Sequence, residues 1–177
     1  MSKTALRKEL KGMTKEQLET LLLDVYTACS DASEYLDFFL NPDVSKLEQK
    51  YNDIQLKEIR RSKRGRSLTR FSHLLANIKK YDKFGVGADY VLKLCVFTLS
   101  NAILFERFVY IRDAYVNGTE RLSKFTLEYA DKHMLADKAL TIFNQILDQP
   151  YSKNSESGDA LRKALENHMA KPLSQPS

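Results

Sequence analysis

Glycine and proline mark the points at which the helical pattern of this chain breaks, and this agreement constrains the fold more than any other feature. The six glycines and four prolines fall where apolar residues stop recurring at helical spacing. Because two independent signals coincide, the sequence predicts an all-α fold. We expect an irregular helical bundle or a short stack of helical hairpins, with eight or nine helices.

Local signals predict where individual helices begin and end. Thr14 and Gln17 have the spacing of a capping box, so a helix is expected to open there. Pro42 ends a later helix, because proline lacks the amide donor and restricts the residue before it. Gly118 is expected to break the chain again, with Thr119 capping the helix that follows.

The last part of the chain is interpreted from its polarity. The stretch 152–158, SKNSESG, follows a helix that ends before Pro150 and is predicted to be a mobile linker before a final helix. Residues 1–170 are predicted to form a single helical domain, and residues 171–177 a disordered tail.

The stretch 88–117 is apolar on nearly every side, which is typical of a helix at the centre of a bundle. Residues 91–99, VLKLCVFTL, are also rich in β-branched and aromatic side chains, so a short strand there stays open. A helix is favoured because the stretch is longer than a typical strand.

We expect a cytoplasmic protein with no membrane partner. The longest run without a charged residue is 94–105, which has twelve residues, whereas a membrane-spanning helix needs about 20. The opening MSKTALRKELKGM is charged and lacks the apolar core of a secretory signal.

Positive charge is concentrated in the segment 57–70, KEIRRSKRGRSLTR. The segment carries a net charge of +6, whereas the whole chain carries +5. Guanidinium groups bind phosphates through paired hydrogen bonds, so the segment is a candidate for anion or nucleic-acid binding. The alternative is a solvated loop that pairs with acidic neighbours such as Glu48, Asp53 and Glu58. The candidate contact residues are Arg60, Arg61, Lys63, Arg64, Arg66 and Arg70.

Catalytic, cofactor-binding and metal-binding residues are not predicted. The histidines lack metal-binding spacing, and no nucleophile elbow or phosphate-binding loop occurs in the sequence. Cys29 and Cys95 lie in apolar helical surroundings and are expected to be buried, reduced thiols. Whether the protein is an enzyme is left uncertain, and no cofactor is expected.

Aromatic residues crowd the short stretch 35–40, YLDFFL. At about 100° per residue these side chains cannot all face inward. Phe38 is the one expected to stay outside, where it could contact a protein partner or a second copy of the chain.

Several stretches resemble an uncharacterised bacterial family that is known only as a domain of unknown function. The resemblance is carried by SKTALRKELKGMTKEQL, EYLDFFLNPD, SKRGRS and RFSHLLANIKKYDKFG, which all lie in the first half of the chain. It implies a soluble, helical bacterial protein and brings no catalytic residue, cofactor or substrate.

Three functions follow as hypotheses. The first is a helical interaction or scaffold protein without catalytic activity, with a protein partner or a second copy as its ligand. The alternative is a nucleic-acid-binding protein that uses the basic segment 57–70. The third is a small-molecule binder or enzyme with a site between the central apolar helix and its neighbours.

Overall fold

The computed structural model describes residues 2–170, and within that range the protein is all-α, as predicted. Residues 2–170 contain nine α-helices, and the stretch 91–99 is helical rather than a strand. The predicted tail 171–177 lies outside the described residues. The helices are α1 (Lys3–Lys11), α2 (Lys15–Ala28), α3 (Ser30–Leu40), α4 (Val44–Glu58), α5 (Phe71–Asp82), α6 (Ala88–Phe105), α7 (Asp113–Lys132), α8 (Ala136–Leu147) and α9 (Glu156–Met169).

The chain divides into two compact units between residues 43 and 44, where one domain over 1–170 was expected. Helices α1–α3 belong to the first unit and α4–α9 to the second. Each unit is described by itself below.

The first unit is a helical hairpin of α2 and α3 preceded by α1. The predicted capping box is confirmed at the start of α2: the Thr14 amide donates to Oε1 of Gln17 at 2.9 Å, and Oγ1 of Thr14 accepts from the Gln17 amide at 3.3 Å. Across the hairpin, the Tyr26 hydroxyl donates to Asp37 at 2.9 Å. None of the residues of α1–α3 is buried.

The second unit is built around α6, which packs against α4, α5, α7, α8 and α9. Eight residues of α6 are buried, which confirms that the apolar stretch forms a central helix. Residues 88–108 also have the length and apolar composition of a membrane span, a test that the core helix of a globular unit passes as well. The packing on five helices accounts for this composition.

The structure corrects the prediction of one helix over 88–117. Helix α6 ends at Phe105, a 3₁₀ turn and an extended segment follow, and α7 begins at Asp113 and runs straight through Gly118. Thr119 does not cap a helix; it is buried inside α7, and its hydroxyl donates to the Tyr115 carbonyl at 3.2 Å. Gly118 is therefore a site of close packing rather than a helix break.

The prediction of a mobile linker at 152–158 is also wrong. Ser152, Ser155 and Ser157 are buried, and Oγ of Ser155 caps α9 by accepting from the Gly158 amide at 2.9 Å. The Glu106 carboxylate completes the cap, because it accepts from the amides of residues 156 and 157 at 2.9 Å each. These contacts hold the start of α9 in place, so the polar segment is ordered.

Candidate nucleic-acid interface

The basic segment folds as a small hairpin between α4 and α5. Arg61 and Ser67 form an antiparallel bridge. Next to it, the Leu68 amide donates to the Arg60 carbonyl at 2.8 Å. The segment is therefore held by backbone hydrogen bonds, which fixes the positions from which its side chains project.

A tight turn closes this hairpin at Lys63 and Arg64. The Gly65 amide donates to the Ser62 carbonyl at 3.0 Å, and the Ser62 amide donates to the Arg66 carbonyl at 2.8 Å. Gly65 has φ +75°, a value that glycine adopts without strain. This is the hydrogen-bond pattern of a three-residue hairpin loop whose last residue is left-handed.

The segment between α6 and α7 pairs with the hairpin from the other side. The Tyr110 amide donates to the Gly65 carbonyl at 2.8 Å, and the Ser67 amide donates to the Tyr110 carbonyl at 3.1 Å. Arg66 and Tyr110 thus form a parallel bridge across more than 40 residues of sequence. These contacts bring Tyr110 and Arg112 beside the basic hairpin.

The basic hairpin and the segment between α6 and α7 together line an open cleft of about 570 Å³. Four of its lining residues are cationic, namely Lys63, Arg64, Arg66 and Arg112, and no carboxylate lines it among the described residues. The volume falls within the range of small-molecule sites. Because like charges converge on it, the cleft concentrates positive potential and favours an anionic ligand.

The structure separates the six basic residues of the sequence prediction into two groups. Lys63, Arg64 and Arg66 line the cleft, whereas Arg60, Arg61 and Arg70 are exposed on the same segment without lining it.

Two of the three acidic residues named as alternative partners, Asp53 and Glu58, contact other side chains. Asp53 accepts a hydrogen bond from Gln49 at 3.1 Å, and Glu58 pairs with Nδ1 of His73 at 3.4 Å. No ion pair involves the six basic side chains in the part of the chain that the structure describes. They remain available for an external anion.

Two helices direct their N-terminal ends at this region. Near their first turns, α5 and α7 meet through the rings of Phe71 and Tyr115, whose centroids are 5.0 Å apart. At their last turns the Tyr129 hydroxyl donates to Asp82 at 2.8 Å, so the two helices run parallel. Their dipoles therefore point the same way, with the positive ends towards the cleft.

Arginine occupies the N-cap position of both helices. Arg70 precedes α5 and Arg112 precedes α7, and neither helix has a side-chain cap. Serine, threonine, asparagine or aspartate is usual at this position because its oxygen accepts from the first amides. Here a cation stands beside two helix ends that are already positive, which adds to the potential at the cleft.

Sequence reasoning missed Tyr110 and Arg112. Residues 106–112, ERFVYIR, had been assigned to the end of the central helix. The run 108–111, FVYI, consists of aromatic and β-branched residues, which are typical of extended chain, and this signal could have separated it from α6.

A second exposed surface lies on the N-terminal hairpin. Leu23, Phe39 and Leu40 are 66%, 68% and 70% exposed. Phe38 was expected to be the outer aromatic residue, but it is only partly exposed. Its neighbour Phe39 is exposed instead. Tyr35 and Phe39 lie four residues apart on one helix face with their ring centroids 6.5 Å apart, which places Phe39 outside.

The two thiols differ, although both were expected to be buried. Cys95 is buried in α6, and burial raises its pKa to about 12. Cys29 is exposed, because it is the single residue that joins α2 to α3 in a unit without buried side chains. Among residues 2–170, no group of three or more histidine, cysteine or acidic side chains is placed to hold a metal ion.

Comparison with known proteins identifies the family. The model of a family of unknown function, DUF6155, matches residues 1–166, so the chain belongs to that family. The match extends well beyond the first half of the chain, where the resemblance was recognised. No curated protein and no solved structure matches the chain.

Proposed function

We propose that this member of the DUF6155 family binds nucleic acid through the basic cleft between its hairpin and the segment 107–112. The observation that carries the proposal is the convergence of Lys63, Arg64, Arg66 and Arg112 on one open cleft. Nucleic-acid binding, which was the alternative hypothesis from the sequence, therefore becomes the preferred function.

A polymer fits the charge distribution better than a small anion does. A single phosphate would occupy only the cleft, whereas Arg60, Arg61 and Arg70 extend the exposed positive charge along the hairpin beyond it. Nucleic-acid-binding proteins gain much of their affinity from several phosphate contacts of this kind.

The test is a fluorescence anisotropy titration of labelled DNA and RNA between ~50 and ~200 mM salt. Wild-type protein is compared with an Arg64→Ala/Arg66→Ala variant. We expect wild-type affinity to fall steeply with salt, because each contact with a phosphate releases a counterion. Two lost phosphate contacts should reduce the slope of log K against log salt by about 1.5 and weaken binding ~10- to 100-fold.

A Lys83→Ala/Lys132→Ala variant is the matched control. It removes the same charge from the C-terminal ends of α5 and α7. Lys132 lies 19 residues along α7 from Asp113, which is about 28 Å of helix. The control should bind nearly as well as wild type. Absence of binding, or equal losses in both variants, would contradict the proposal.

Protein interaction through the α2–α3 hairpin is a second candidate function. It is favoured by the exposed apolar side chains of Leu23, Phe39 and Leu40, beside which Phe38 was predicted as a partner contact. Light scattering after size exclusion would compare wild type with Leu23→Glu/Phe39→Glu. A dimer that the variant loses would support this function, and a monomer that captures no partner would count against it.

A further inference from the structure

Tyr110 is one of the most exposed large side chains of the protein, with 77% of its surface open to solvent. It lines the basic cleft, and its hydroxyl and ring take part in no hydrogen bond or ring contact among the described residues. An aromatic side chain offers a large apolar area that is usually buried. An exposed ring inside a cationic cleft therefore calls for a ligand that has both charge and apolar surface.

The backbone holds this ring in place. Tyr110 is tied through its amide to Gly65 and through its carbonyl to Ser67, at 2.8 and 3.1 Å. Ring atoms Cδ2 and Cε2 lie 3.6 and 3.7 Å from the position that a Cβ at residue 65 would occupy. One edge of the ring thus adjoins the turn of the hairpin. A ligand can stack on it with little loss of conformational entropy, because the ring's attachment is already fixed.

Cations flank the ring on the hairpin side. Arg64 and Arg66 are the sequence neighbours of Gly65, and Arg66 is the direct bridge partner of Tyr110. Phosphates on either side of a stacked base would therefore meet guanidinium groups. This combination of a stacking platform with a positively charged groove is how proteins hold single strands without reading their sequence.

Phe108 is a second exposed aromatic residue close to Tyr110 in the sequence. It is 59% exposed and lies two residues before Tyr110. Val109 between them has extended backbone and is partly buried. Phe108 ends the 3₁₀ turn and does not line the cleft, so Tyr110 is the ring that carries the stacking argument.

We propose that the cleft binds single-stranded nucleic acid, with a base stacked on Tyr110. This inference rests on the proposed function and narrows its ligand. A duplex hides the faces of its bases, and proteins that read it insert a protruding helix or ribbon into a groove. Here the arginines line a concave site together with an exposed ring, and only an unpaired base has a free face to offer it.

The experiment compares four labelled probes: oligothymidylate and oligouridylate of ~12 nucleotides, an abasic strand with the same number of phosphates, and a duplex of the same length. The proteins are wild type, Tyr110→Ala, Tyr110→Leu, Tyr110→Phe and, as a control for loss of an exposed apolar side chain, Met134→Ala. Met134 is 95% exposed beyond the C-terminal end of α7. Circular dichroism melts of every variant check that it is folded.

Wild type should bind the single strands that carry bases more tightly than the abasic strand or the duplex. Tyr110→Ala and Tyr110→Leu should weaken binding to those strands about 5- to 150-fold, the factor expected for one lost base–aromatic stack. Both should leave the affinity for the abasic strand unchanged, because that strand has no base to stack. Tyr110→Phe and Met134→Ala should bind like wild type.

Tighter binding of the duplex, or no effect of Tyr110→Ala on the strands with bases, would overturn this inference. If the arginine variant still loses affinity in that case, the proposed function stands without it. Absence of binding to all four probes would overturn both. Tyr110→Leu binding as well as Tyr110→Phe would also overturn the stacking, because leucine supplies apolar bulk without an aromatic face.

Discussion

Gly118 of α7 lies directly against the ring of Phe71 in α5: a Cβ at position 118 would stand 2.3 Å from Cδ2 of that ring. Only a residue without a side chain permits this approach. The contact holds together the N-terminal ends of the two helices that border the basic cleft.

Gly118→Ala should lower the free energy of unfolding by about 3 kcal/mol, because the new methyl group forces a packed aromatic ring to move. Urea denaturation would measure it. Gly12→Ala is the control: its Cβ would lie 3.5 Å from the nearest atom, an ordinary contact, and the change should stay within about 1 kcal/mol. Adding Phe71→Leu to Gly118→Ala should recover part of the loss. Equal denaturation midpoints for Gly118→Ala and wild type would contradict this account.

Glu106→Ala should cost about 1–2 kcal/mol, because it removes the carboxylate that accepts from two amides at the start of α9. Glu106→Gln should cost less, since one oxygen acceptor remains. Glu166→Gln removes the same charge from the last turn of α9, where a negative charge opposes the helix dipole. That control should be neutral or slightly stabilising. A Glu106→Ala variant as stable as the control would show that the cap contributes little.

The two cysteines should react at very different rates. A thiol reagent such as 5,5′-dithiobis(2-nitrobenzoate) should modify Cys29 rapidly in the folded protein and leave Cys95 unmodified until the chain unfolds. Burial keeps Cys95 both inaccessible and protonated, and only the thiolate reacts. A Cys29→Ser variant should show no fast phase. Rapid modification of two thiols per native chain would contradict the burial of Cys95.

Stability should fall in alkaline solution. Burial raises the pKa of the Cys95 thiol to about 12 and also raises the pKa values of the Tyr115 and Tyr129 hydroxyls. The unfolded chain loses these protons near pH 8.5 to 10, so it binds fewer protons than the folded chain above that range. The free energy of unfolding is therefore highest below about pH 8.5 and declines as pH rises towards the folded pKa values.

Urea midpoints at about pH 8, 9.5 and 10.5 would measure this decline. Cys95→Ala lowers stability at every pH but should show a smaller decline between the first two values, because it removes the group that titrates first on unfolding. A midpoint that does not change across this range would contradict the assignment.

The sequence predicts the fold well where the signal is local. The capping box at Thr14 and the helix end before Pro150 depend on a few neighbouring residues, and both are present in the structure. Gly118 has the same local signature as a helix break. Its role is decided by Phe71, which lies 47 positions earlier, and no window of local sequence contains that information.

The candidate site likewise combines a local signal, which the sequence shows, with distant contacts, which it does not show. The charge of residues 57–70 is visible in the sequence, but the partners that turn it into a cleft, Tyr110 and Arg112, lie 40 or more positions away. Serine-rich composition likewise suggested a linker at 152–158, whereas Glu106 orders that segment across 50 residues. Hydrogen bonds between distant parts of the chain decide both cases, and composition does not indicate them.

The extended segment that pairs with the basic hairpin is also the short connection between α6 and α7, two helices of the core. A ligand bound between the hairpin and this connection would therefore have to be released before these helices can separate. Its binding free energy adds to the work of unfolding, so occupancy raises the melting temperature in proportion to the logarithm of ligand concentration. Thermal-shift screening of unlabelled oligonucleotides can thus rank ligands of the cleft.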